Sequence, residues 1–109
     1  MSTVPTRVAD AVKARAGGHC EIWLAGVCTT RVEHLHHRRL RSQGGRHTVE
    51  NLAAICRACH DYAHNHPRKA RECGWIVPSW SDPDTTPMVR RGLATLFLSD
   101  GRVHIQEEP

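Results

Sequence analysis

Cys56-Arg57-Ala58-Cys59-His60-Asp61-Tyr62-Ala63-His64 is the stretch whose reading decides the fold. Its two thiols stand at the Cys-x2-Cys knuckle spacing of zinc sites. The apolar run Leu52-Ala53-Ala54-Ile55 leads into it as a short buried segment. A helix starting at Cys56 or Arg57 and reaching about His64 puts His60 and His64, four positions apart, on one face. Two imidazoles one turn apart can hold one divalent cation together. His66 falls off that face and is expected in solvent.

A second cysteine pair, Cys20-x7-Cys28, lies upstream. Four thiolates hold zinc tetrahedrally and tie together segments distant in sequence. The bland alternative is reduced cysteines packed as small apolar residues. Composition favours the metal. The chain has 109 residues, of which 39% are hydrophobic and 5% aromatic, so its core is thin. Small domains with thin cores commonly need a metal or disulfide staple. The sequence contains no apolar run long enough to span a membrane. Residues 1–10 lack the apolar segment of a signal peptide, so a reducing, cytoplasmic setting is expected. There, spaced cysteines bind metal more often than they pair. Cys73 lies outside both pairs and reads as a plain thiol.

A catalytic cation needs a third ligand and open positions for water or phosphate. His34-Leu35-His36-His37-Arg38-Arg39-Leu40-Arg41-Ser42-Gln43-Gly44-Gly45 can supply it. Adjacent strand residues face opposite ways, so of His36 and His37 one can bind the metal while the other faces a substrate. An imidazole with a pKa near 6.5 suits a general base. The following Arg38, Arg39 and Arg41 suit phosphates, or else form a solvated loop. The net charge of +4 is compatible with nucleic acid and proves little alone. Gly44-Gly45 permits a tight turn.

Elsewhere, residues 6–16 predict an N-terminal helix, alanine-rich and closed by Gly17-Gly18. Residues 31–37 read as a strand. Pro67 opens a short helix over 68–72. Three prolines make 78–87 a loop. Asp100-Gly101 predicts a C-terminal β-hairpin over about 94–106.

Together, His36-His37, Gly44-Gly45, Asn51-Leu52, Cys56-x2-Cys59-His60 and His64 resemble the HNH endonuclease motif. More narrowly, they resemble small phage-encoded HNH proteins with a four-cysteine zinc site. The resemblance covers about residues 19–82, within an expected single domain over 1–109, and includes Trp80-Ser81-Asp82. It implies an α+β fold of the zinc-stabilised ββα-metal, treble-clef-like kind. It implies that His36, His60 and His64 hold the catalytic cation (Mg2+, Mn2+, Ni2+ or Zn2+). His37 matches the general base, and Asn51 the asparagine that pins the loop and orients that base. Cys20, Cys28, Cys56 and Cys59 would hold structural zinc. His34 stands where colicin-like members carry glutamate and is expected to be exposed. The implied activity is metal-dependent hydrolysis of DNA with low sequence specificity, in a bacterial host's cytoplasm. Phage terminase subunits are an implied partner. The rivals are a zinc-stabilised DNA-binding module without catalysis and an accessory protein of a terminase complex.

Overall fold

The computed structural model describes residues 3–106. The ends of the expected 1–109 domain, residues 1–2 and 107–109, lie outside the described residues.

Helix α1, Thr6–Ala16, buries Val8, Val12 and Ala16, one residue per turn along a single stripe. Gly17 ends it in the left-handed conformation, donating its N–H to the Lys13 carbonyl. Strands β1, His34–His37, and β2, Leu52–Ile55, form an antiparallel hairpin in which His36 faces Ala53 and His37 faces Leu52. Helix α2, Arg57–Asn65, follows at once; Cys56 caps it, its sulfur accepting from the Cys59 N–H. Helix α3 is Pro67–Glu72. This β1–β2–α2 order is the ββα unit, in an α+β fold.

Every residue of β2 is buried, because β2 lies between two apolar clusters. Ala53 and Ile55 join Cys56, Cys59, Ala63, Trp75 and Phe97 on one side. Leu52 and Ala54 join Val8, Val12 and Ala16 of α1 on the other. A strand buried on both faces reads as a continuous apolar run rather than an alternation.

The strand expected over 31–37 is shorter. Arg31 forms only an isolated bridge with His19. Thr30 just before it has φ +68°, where the chain rounds the cysteine cluster. The C-terminal hairpin belongs to a larger sheet: β3, Met88–Arg90, pairs with β4, Leu93–Phe97, which pairs with β5, Val103–Ile105. Strand β3 was hidden because its turn, Arg91-Gly92, lacks an asparagine or aspartate signal. Both residues have positive φ, at 52° and 82°. Arg91 is held there by bonds from its guanidinium to the carbonyls of Ala16, His19 and Cys20.

Two glycines set close approaches. A Cβ at Gly45 would overlap the Arg39 carbonyl, and one at Gly74 the Pro87 carbonyl. Beneath the sheets, Glu21 is fully buried and accepts from Arg15 Nε and Nη2, Arg90 Nε and the Ala54 N–H, at 2.7 to 3.0 Å. This network joins α1, β2 and β3. Among the described residues no helix is long and apolar enough to cross a membrane.

Candidate metal centres and active site

The chain brings Cys20, Cys28, Cys56 and Cys59 together, with sulfurs all within 4.8 Å of one another. Thiolates placed tetrahedrally about zinc at roughly 2.3 Å lie about 3.8 Å apart, and the Cys28 and Cys56 sulfurs are 3.9 Å apart. Backbone N–H groups already face the sulfurs. Thr30 donates to Cys28 Sγ at 3.2 Å, while Thr29 and Cys59 donate to Cys56 Sγ at 3.5 and 3.3 Å. A hydrogen bond with Cys59 pulls the Cys20 thiol down to about 5, and the same contact raises Cys59. The spacing of the four sulfurs fits zinc. Cys73 lies apart, buried, with its thiol raised by burial.

The second cluster is His36, His60 and His64, whose ring nitrogens also lie within 4.8 Å of one another. Strand alternation explains the partition. His34 and His36 share the β1 face that pairs with Ile55 and Ala53 on the side of α2, while Leu35 and His37 face the other way. The His36 ring stands edge-on to those of His60 and His64, with centroids 5.5 and 5.6 Å away. Its Nε2 lies 2.6 Å from the Trp75 carbonyl. A carbonyl only accepts, so Nε2 carries the proton and Nδ1 is the nitrogen whose lone pair could hold a metal. Burial pushes this imidazole down to about 3, which keeps it neutral as metal ligation requires. Burial also lowers His60. His34, expected in solvent, is instead half-buried and stacked on His60, centroids 4.6 Å apart. His66 is exposed, lying against Tyr62.

His37 Nε2 meets His47 Nδ1 at 2.9 Å across the β1–β2 loop. Burial lowers the His37 pKa, and the neighbouring His47 and Arg41 lower it further. His47 carries no sequence signal: it stands in a turn, ten residues from its partner. Asn51 is buried and clamps the same loop. Its Oδ1 accepts from the Arg39 N–H at 2.7 Å, and its Nδ2 donates to the carbonyls of Arg39 and Arg46 at 3.1 and 2.9 Å.

The expectation that Arg38 faces phosphate is corrected. Arg38 is fully buried, bonding the carbonyls of Gly74, Glu50, Pro83 and Thr86 at 2.6 to 3.3 Å. The alternation that separates His36 from His37 places Arg38 on the inward side with His36. Arg39 is half-buried and donates from Nη2 to the Ser79 carbonyl. Arg41 is exposed, its guanidinium near Gly45.

Residues 26–66 match the family model of the HNH endonucleases. The match contains both histidine pairs, Asn51 and three of the four clustered cysteines; Cys20 precedes it. No curated protein and no solved structure matches the chain. Over residues 26–66, less than half of the chain, the sequence is therefore similar to the HNH endonucleases.

Proposed function

We propose that this protein, taken over 1–109 as one domain, is a metal-dependent endonuclease that hydrolyses DNA phosphodiester bonds with low sequence specificity. The observation that carries the reading is the convergence of His36, His60 and His64 nitrogens beside a differently oriented His37. A non-catalytic DNA-binding module would need none of these four. Assistance to phage packaging with terminase subunits rests on the motif resemblance alone.

His36 Nδ1, His60 and His64 would hold the catalytic cation, and the four cysteines a separate structural zinc. A divalent cation bound there stabilises charge developing on the phosphate and the leaving oxygen. Imidazole ligands do not choose among Mg2+, Mn2+, Ni2+ and Zn2+. The Trp75 carbonyl fixes the His36 tautomer and ring plane. His37 takes the proton from the attacking water. With Nε2 engaged by His47, the accepting atom is His37 Nδ1, and His47 is a positioning residue that steadies the imidazolium. Asn51 keeps the loop closed, so that base and metal site stay in register. Arg39 and Arg41 contact DNA phosphates.

Plasmid nicking tests this. Wild type and His37→Ala are incubated with supercoiled DNA and each cation or EDTA, after about one tightly held zinc per chain is confirmed. Metal-dependent relaxation should fall about 10²- to 10⁴-fold in His37→Ala, the range for losing a general base, with folding and DNA binding retained. Absence of cleavage with every cation, while DNA binding persists, would favour the binding module.

A further inference from the structure

Arg46 and Thr48, the chain neighbours of His47, line a cleft of about 480 Å³ together with Arg39, Asn51, Trp80, Asp82 and Asp84. Its volume falls within the roughly 300–1,000 Å³ of small-ligand pockets. We propose that this cleft holds one unpaired nucleotide of a DNA strand, its base stacked on Trp80 and its phosphate between Arg39 and Arg46.

Trp80 is 80% exposed, the most exposed large apolar side chain described. The other exposed tryptophan, Trp23, has the Arg91 guanidinium over its ring. Trp80 has no ring or cation contact among the described residues. An indole face open at a cleft wall is a stacking platform for a base.

The two arginines are placed by one side chain. The Asn51 amide bonds the backbone of both Arg39 and Arg46, fixing them side by side on the wall. Arg39 Nε is buried without a hydrogen-bond partner. The Arg46 guanidinium makes no hydrogen bond among the described residues. The two cations are matched by Asp82 and Asp84, so the lining suits one phosphate rather than a run of them. Asp82 Oδ1 accepts from the Asp84 N–H at 2.9 Å, and the charge of Asp84 acts on buried Arg38. A ligand with one anionic end and a neutral body bearing amine donors fits this lining. A nucleotide is such a ligand, the base amine meeting a carboxylate and the phosphate an arginine.

Only an unstacked base can lie flat on Trp80, which selects single-stranded or flipped DNA over an intact duplex. Arg39 follows His37 by two residues, so the held nucleotide would neighbour the scissile phosphate. That placement rests on the nuclease reading; binding in the cleft does not.

The test is fluorescence anisotropy with a short labelled single strand and with the corresponding duplex. The protein carries His37→Ala to prevent cleavage, alone or combined with Trp80→Ala, Trp80→Phe or Arg46→Ala. Zinc content and melting temperature verify the fold. Trp80→Ala should weaken single-strand binding about 5- to 160-fold, the range for one lost base stack. Trp80→Phe should restore most of it. Arg46→Ala should weaken single-strand binding and its salt dependence. Duplex affinity should change by about twofold at most when Trp80 is replaced. Unchanged single-strand affinity in Trp80→Ala, or an equal loss for single strand and duplex, overturns the cleft. Plasmid nicking by the His37-containing chain runs in parallel. Trp80-dependent binding without nicking would sink the nuclease reading alone, and nicking without Trp80 dependence the cleft alone.

Discussion

Replacing Arg38 with methionine keeps the unbranched stem and removes the guanidinium. The carbonyls of Gly74, Glu50 and Thr86 then lose their donor inside the protein, while the Pro83 carbonyl keeps the Thr86 N–H. At about 1 kcal/mol for each of the three orphaned acceptors the cost is about 3 kcal/mol. Loss of the cation 5.5 Å from the Phe97 ring centre adds about 0.5 kcal/mol. Part of this is returned, because burial disfavours the charged guanidinium and holds its pKa at about 10. A net loss of about 2–3 kcal/mol remains, a large share of the 5–15 kcal/mol typical of a domain. For a chain of this size the melting temperature should drop by roughly 10–25 °C. The assay is thermal unfolding of the zinc-loaded protein, with duplex binding measured over a salt series well below the transition. The salt slope should match wild type, because Arg38 contacts no phosphate. An unchanged melting temperature, with the slope reduced by about one, would mean that Arg38 faces DNA and that this packing is wrong.

Cys56→Ser should unfold or aggregate the chain, since zinc-binding energy is folding energy in a domain so small; a normal melting curve would sink the structural-zinc site. Burial alone would raise the Glu21 carboxyl, but Arg15 and then the Ala54 N–H and Arg90 outweigh it and hold the group below its ordinary 4.5. Its ionised form therefore contributes stability fully present above about pH 4.5 and lost as pH falls through the depressed value. Glu21→Gln should lower the neutral-pH melting temperature and flatten the acid limb; parallel curves for the two proteins would refute the network. Burial, with His47 and Arg41, holds His37 below 6.5. Nicking should thus stay level from pH 7.5 to about 6.5 and decline only as pH falls through the lowered value; a decline centred above pH 7 would argue against His37 as the base.

Much of the ββα unit was legible because its signals are local. Cys-x2-Cys, two histidines one turn apart and a short apolar run each depend on helix or strand periodicity within a few residues. The same periodicity put His36 and His37 on opposite faces. It also held the answer for Arg38, two positions beyond His36, but three arginines within four positions suggested solvent, and only packing outweighs that preference. Strand β3 escaped because Arg91-Gly92 takes a left-handed turn that distant carbonyls, not its own residues, stabilise.

The sequence by itself therefore determined the ββα unit, its flanking helices and the spacing of possible ligands. Only the tertiary structure decided which groups meet. It set His47 against His37, the Trp75 carbonyl behind His36, and Glu21 among three segments. It also gathered Trp80 and the Asn51-fixed arginines around one cleft. The reason is physical: periodicity fixes the face a residue occupies on its own element. Which distant backbone carbonyl or imidazole that face encounters depends on how the chain closes around its two buried clusters.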